Sequence, residues 1–152
     1  MPARNREQKR EPSLSRRYRE LERKVRLSRQ SERDIRADVL LAFPYRHPGQ
    51  PAEVCIDTEE FSALCPWTGL PDQGTLEVRY VPRARLLELK SLKYYLLSYR
   101  SVGIVQEHAA ARILRDLVRV ARPRRMQVRL DYRPRGGLHT VVTVEYPARA
   151  KN

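Results

Sequence analysis

The sequence predicts an α+β domain in which an antiparallel sheet is covered by one layer of helices. Three observations predict it. Residues 53–58 and 74–82 alternate apolar and polar side chains, as half-buried strands do. Residues 85–100 and 105–123 then change to helical spacing, and 126–134 and 138–147 return to alternation. Strands and helices that are grouped rather than interleaved, here as β-β-α-α-β-β, point to an antiparallel sheet and away from a parallel one. A sheet this small has open edges, so self-association is expected.

The first strand is "EVCIDT", in which Cys55 alternates with the polar positions and reads as a core residue. The second is "GTLEVRYVP", with Leu76, Val78 and Tyr80 on one face and Pro82 as its stop. "RLLELKSLKYYLLSYR" places Leu89, Leu92, Leu96 and Tyr99 on one helical stripe, with Gly103 able to end the helix. In "VQEHAAARILRDLVRVARP" the inward positions are Ala110, Ile113, Leu114, Leu117, Val118 and Ala121. Arg112, Arg115, Arg119 and Arg122 line the opposite side, and Pro123 closes the helix. "MQVRLDYRP" and "LHTVVTVEYP", joined through "RGG", read as a hairpin.

A chain of 152 residues suits a single domain with a real core. Residues 1–37 read as a basic, flexible N-terminal arm, and residues 38–152 as the domain. Within the arm, "SRRYRELERKVRLSRQSERDIRADVL" can form a polar helix, but Leu21, Val25 and Leu27 are too sparse to bury a wide face. The formal net charge is +13, of which residues 1–36 hold +7. That charge favours anionic partners, including nucleic acid, without requiring one. No apolar run reaches the roughly 20 residues that cross a bilayer, and no secretory core is present, so a cytoplasmic location without membrane attachment is expected. Thiols stay reduced there, so Cys55 and Cys65 are not expected to form a disulfide.

Several chemistries lack their motifs. The glycines at 49, 69, 74, 103, 136 and 137 form neither a dinucleotide fingerprint nor a P-loop. His47, His108 and His139 belong to no H-E-x-x-H, the two cysteines are ten residues apart, and no metal site is predicted. "FSALCPWTGLPDQGT" is more informative. A free cysteine titrates near about 8.5, so a small thiolate fraction at neutral pH can serve as a soft nucleophile in a pocket. Asp72, seven residues later, could supply a proton if burial raised its pKa. On composition and spacing alone, a lone cysteine such as Cys65 is more often a packing residue than a nucleophile.

Three stretches resemble one family. "ELKSLKYY", residues 88–95, resembles the signature helix of the NADPH-dependent 7-cyano-7-deazaguanine reductases, the nitrile reductases of the queuosine tRNA-modification pathway. "FSALCPWTGLPDQGT" resembles their active-site loop and "PRGGLHT" a later segment, and the likeness covers about residues 40–147. It implies a tunnel fold over residues 38–152, assembling as a homo-oligomeric ring with active sites between subunits. The substrate implied is a small 7-deazapurine nitrile, reduced to the amine 7-aminomethyl-7-deazaguanine. Cys65 would add to the nitrile carbon as a thioimidate, Asp72 would protonate the nitrogen, and NADPH would supply hydride twice.

The resemblance also assigns binding roles. Glu107 matches the carboxylate that anchors the base, and Leu87, Glu88 and Leu89 match positions that line it. Lys90 with the Leu89 backbone, and Arg135 with Gly136, match contacts to NADPH. Gln106 counts with the substrate residues, although the family often has histidine there. An amidinotransferase acting on the same nitrile in tRNA would keep Cys65 and Asp72 but lack the helix motif, which is intact here. A non-catalytic basic RNA-binding module is supported by charge but by no aromatic RNA-binding signature.

Overall fold

The alternating apolar residues of 74–81 form the centre of the sheet. In the computed structural model, which describes residues 13–24 and 30–148, they lie on strand β3 (Pro71–Val81), preceded by β1 (Ala42–Pro44) and β2 (Val54–Leu64). A short strand β4 (Arg85–Leu87) follows, and β5 (Arg125–Tyr132) and β6 (Val141–Tyr146) close the fold. The main sheet is antiparallel, in the order β2-β3-β5-β6, and β1 pairs with β4 as a separate ribbon. Helix α1 (Leu14–Lys24) lies in the N-terminal segment, while α2 (Leu89–Leu97) and α3 (Gln106–Ala121) stand between β4 and β5. The long elements therefore follow the expected β-β-α-α-β-β order. Residues 1–12 and 25–29 of the basic arm lie outside the described residues. Among the described residues, no helix is long and apolar enough to cross a membrane.

One face of the sheet carries the core. Leu76, Val78 and Tyr80 of β3 lie beside Met126, Val128, Leu130 and Tyr132 of β5, all essentially inaccessible. Ile113, Leu117 and Ala121 of α3 belong to the same cluster. Each such aliphatic side chain contributes about 1.5–3 kcal/mol by leaving water. Gly74 is required where β3 meets β5, because a Cβ there would stand 2.5 Å from the Asp131 carbonyl oxygen.

The opposite face corrects one expectation. Cys55 is exposed rather than core. Helices cover only the face of Val54 and Ile56, so Cys55 falls on the open face opposite Arg79. That face is charged, with Arg79–Glu77 at 2.7 Å and Arg129–Asp131 at 2.8 Å. β2 also extends well past the six residues expected, to Leu64, through an irregularity between Thr58 and Phe61. β3 begins earlier, at Pro71, and together the two strands reach the Cys–Asp loop.

Helix α2 is shorter and rotated relative to expectation. Residues 85–87 are strand, Glu88 is the N-cap, and the helix ends at Leu97, well before Gly103. Leu89 is 60% exposed, and Ser91, Leu92 and Tyr95 point inward instead. The cause is a buried polar partner on α3. Tyr95 Oη donates to Asp116 Oδ2 at 3.0 Å and lies 2.8 Å from Tyr99 Oη. Arg112, expected on the side of the helix opposite the apolar residues, donates from Nε to the same Asp116 oxygen at 2.6 Å. Burying Tyr95 satisfies its hydroxyl while covering its ring, which an exposed Leu89 does not need.

Candidate active site

The hairpin between β2 and β3 folds the Cys65 sulfur into its own turn. Cys65 N–H donates to the Leu70 carbonyl at 2.8 Å, and Gly69 N–H donates to the Cys65 carbonyl at 2.8 Å. Gly69 has φ +73°, a conformation that glycine adopts without strain. The reversal turns successive backbone N–H groups toward the side chain it encloses. The Thr68 hydroxyl, the Thr68 and Trp67 N–H groups, and the Arg135 guanidinium all favour the thiolate form of Cys65.

Cys65 is 3% exposed. Burial by itself pushes its thiol up, but these four donors outweigh it and bring the pKa down to about 7. Near neutrality, about half of such a thiol is thiolate.

Asp72 shares this corner of the fold. It pairs across the ladder with Ala63, two residues before Cys65, so strand alternation brings its side chain to the same face. It is 4% exposed, and burial raises its pKa, against the lowering effects of the Arg135 cation and the Gln106 side chain. Arg135 Nη1 lies 2.8 Å from Asp72 Oδ1, yet the approach is off line and that buried oxygen has no hydrogen-bond partner. A buried polar atom left without a hydrogen bond is uncommon in a folded protein.

The β5–β6 connection delivers Arg135. Its N–H and carbonyl both pair with Leu138 at 2.9 Å, around Gly136 and Gly137 at φ +55° and +79°. Two successive positive φ values make a tight turn of the kind glycine pairs favour. The N-terminus of α3 adds Gln106 and Glu107. Tyr132 Oη donates to the Gln106 carbonyl at 3.3 Å, and the Asp72 and Glu107 carboxylates add to burial in raising the Tyr132 pKa. Glu107 is exposed and also occupies the first helical turn, where a carboxylate is favoured.

Comparison with known proteins gives the family and the fold. Residues 71–151 match the family model described as QueF-like protein. The NADPH-dependent 7-cyano-7-deazaguanine reductase of Caldicellulosiruptor bescii is 54% identical over 112 residues, covering 74% of this chain and 86% of that protein. The reductase of Chlorobium luteolum is 44% identical over 116 residues, covering 76% of this chain and all of its own length. This chain belongs to the 7-cyano-7-deazaguanine reductase family. A structure of an archaeosine synthase QueF-Like in the apo form superposes with TM-score 0.62 over 66% of this chain and 99% of its own, at 24% identity, and so shares the fold.

Of the residues that the reductase family resemblance marks, the single chain gathers Cys65, Asp72, Gln106, Glu107 and Arg135. Leu87, Glu88, Leu89 and Lys90 are not among them. Leu87 is buried, and its N–H donates to Tyr80 Oη at 3.1 Å. Tyr80 is eight residues beyond Asp72 on β3, which at 3.3 Å per residue is about 26 Å along the strand. Glu88 N–H donates to the Leu41 carbonyl, and both Glu88 carboxylate oxygens cap α2, accepting from Lys90 N–H at 2.9 Å and Ser91 N–H at 2.7 Å. The Ser91 and Lys90 N–H groups hold the Glu88 carboxyl below its usual range. Leu89 and Lys90 are exposed.

Sequence reasoning missed Thr68, whose only signal was its place in the Cys–Asp loop. It also gave Arg135 a cofactor contact without its contacts to Cys65 and Asp72. Among the described residues, no three His, Cys, Asp or Glu side chains converge to hold a metal ion.

Proposed function

We propose that this chain catalyses the NADPH-dependent reduction of the 7-cyano-7-deazaguanine nitrile to 7-aminomethyl-7-deazaguanine, a cytoplasmic step toward the queuosine modification of tRNA. The observation that carries it is a cysteine with a thiol near neutrality beside a buried carboxyl of raised pKa, joined by one arginine. A nitrile is a poor hydride acceptor, and adding a thiol first splits one hard reduction into easier steps.

Cys65 Sγ forms a bond to the nitrile carbon, and the electron pair displaced to nitrogen takes a proton from Asp72, giving a thioimidate. Bound NADPH supplies one hydride to that carbon and, from a second molecule, one hydride to the imine that follows. Between them, the C–S bond breaks and Cys65 leaves as the thiolate that its four donors stabilise. Two hydrides and two protons enter overall. Asp72, reprotonated from solvent, is placed to hand over each proton. Glu107 offers two acceptor oxygens to the N–H and amino donors of the deazapurine edge, and Gln106 flanks it.

Lys90, with the Leu89 backbone, and Arg135, with Gly136, are the proposed cofactor contacts. The donor set suits phosphates, since Lys90 is an exposed cation and nothing lies within 4 Å of a Cβ built at Gly136. Arg135 keeps 45% of its side chain exposed while touching Asp72, so one arginine can face both the cofactor and the reacting pair.

The separate location of Leu87, Glu88, Leu89 and Lys90 supports a tunnel-fold ring whose sites lie between copies, one supplying Cys65 and Asp72 and the next supplying residues 87–90. Residues 38–152 would then be the catalytic domain, and the basic arm of residues 1–37 would supply none of the reacting groups.

The test is mass spectrometry of the protein with the nitrile but without NADPH. The expected result is a covalent adduct on Cys65, absent from Cys65→Ala, together with nitrile-dependent NADPH oxidation by the parent. An adduct without NADPH oxidation would favour an amidinotransferase. Salt-sensitive tRNA binding with neither would favour a binding module.

A further inference from the structure

Leu64, immediately before Cys65, is bonded to a segment from a different part of the chain. Its N–H donates to the Val102 carbonyl at 2.9 Å, and its carbonyl accepts from Ile104 N–H at 3.1 Å. The far edge of that segment is occupied as well. Gln30 N–H donates to the Ser101 carbonyl at 2.8 Å, and Gly103 N–H donates to the Gln30 carbonyl at 3.2 Å. Both pairings are parallel bridges, so residues 101–104 form the middle rung between Gln30 and the neighbour of the nucleophile. Two residues beyond Ile104, α3 begins with Gln106 and Glu107.

The flank containing Gln30 is firmly anchored. Ser31 and Asp34 cap one another reciprocally, which stiffens the first turn of the segment. Ile35 is buried in the core, Arg36 N–H donates to Ser98 Oγ at 3.1 Å, and Arg112 Nη1 donates to the Glu32 carbonyl at 3.4 Å. Arg112 in turn is held by Asp116. The segment is therefore fixed to both helices that flank residues 98–105, on the side away from β2.

We propose that residues Gln30–Arg36 are a positioning clasp for the active site, pressing residues 101–104 against Leu64 and so setting Cys65 relative to the N-terminus of α3. The segment lies outside the stretch of family resemblance and touches none of the reacting groups. It acts through the backbone: residues 101–104 bond to Leu64 on one side and lead into Gln106 and Glu107 on the other. Displacements of about 1 Å between a nucleophile and the groups orienting its target can cost up to about 100-fold in rate. A clasp that excludes such displacements raises kcat and leaves the affinity for cofactor alone.

The test uses full-length protein carrying Cys55→Ser, so that Cys65 alone reacts with iodoacetamide. Gln30→Pro removes the N–H that bonds Ser101, whereas Gln30→Ala keeps both backbone bonds. For Gln30→Pro we expect about a tenfold fall in kcat with KM for NADPH unchanged, and slower Cys65 alkylation with an upward-shifted pH midpoint, in line with loss of one or two backbone bonds. Gln30→Ala, and removal of residues 2–29, should match the parent in both assays.

A Gln30→Pro protein with a lowered thermal midpoint but parental kcat and alkylation profile would overturn the proposal. So would an equal loss in Gln30→Ala. If Gln30→Pro does not fold, Ile35→Ala, which loosens the anchor without touching the ladder, must reproduce the kcat and alkylation changes or the proposal fails. The turnover readout rests on the nitrile reductase reading, but alkylation does not. A parent that alkylates at about neutral pH yet never oxidises NADPH would sink that reading, while the alkylation arm still decides the clasp.

Discussion

Thr68→Val tests the origin of the Cys65 reactivity directly. The substitution nearly preserves side-chain shape and removes one donor, the hydroxyl that is the largest influence lowering the thiol pKa. A hydrogen bond to a charged group contributes about 1.5–3 kcal/mol, and one pKa unit is about 1.4 kcal/mol, so the low end of that range raises the thiol by about one unit. The Cys65 midpoint should therefore move from about 7 toward about 8. Thiolate at pH 7 would fall about fivefold, but a more basic thiolate is more nucleophilic by about threefold per unit, which offsets most of the loss. The net alkylation rate at pH 7 should thus drop only about twofold, while the plateau at high pH rises about threefold. The assay is the iodoacetamide rate against pH with Cys55 replaced. A midpoint that stays at its parental value, with the variant folded, would refute the claim that the turn holds the thiolate.

Two other substitutions probe the buried carboxylates. Asp72→Asn should abolish nitrile-dependent NADPH oxidation yet leave the protein at least as stable at pH 8. The Asp72 pKa is raised in the fold, so the ionised form is penalised there and stability falls as pH climbs through the folded pKa. Asparagine removes that fall, and thermal melts from about pH 4, near the unfolded carboxyl value, up to pH 8 should show the advantage growing with pH. Asp116→Ala should destabilise by about 3 kcal/mol in urea unfolding, because it leaves a buried tyrosine hydroxyl and a largely buried arginine without their acceptor. Tyr95→Phe, which removes a donor and leaves Asp116 paired with Arg112, should cost less.

Periodicity revealed the long elements because one-sided burial leaves a repeat of two or 3.6 in the chain. Leu76, Val78 and Tyr80, or Ile113, Leu117 and Ala121, could be assigned inward without coordinates. It failed where burial was decided by a partner distant in sequence. Tyr95 displaces Leu89 as the inward residue because Asp116 waits on another helix. Cys55 is exposed because helices cover only one side of the sheet. β1 and β4 are three residues each and too short to show a period. Ile35 and Leu40 sit in a charged stretch whose composition conceals that they are core.

The candidate site divides along the same line. Cys65, Asp72 and the α2 motif lie on short contiguous stretches, so the linear order of residues identifies the family and points to the pair of groups proposed to react. The linear order does not state that an arginine 70 residues after Cys65 meets both members of that pair, or that Thr68 turns back onto the sulfur. Those relations are distances in space, created by strand register and by a tight turn at Gly136 and Gly137. Ionisation depends on burial and on neighbours within a few ångströms, so the candidate nucleophile can be read in the chain, but the lowered pKa of its thiol is decided by the fold.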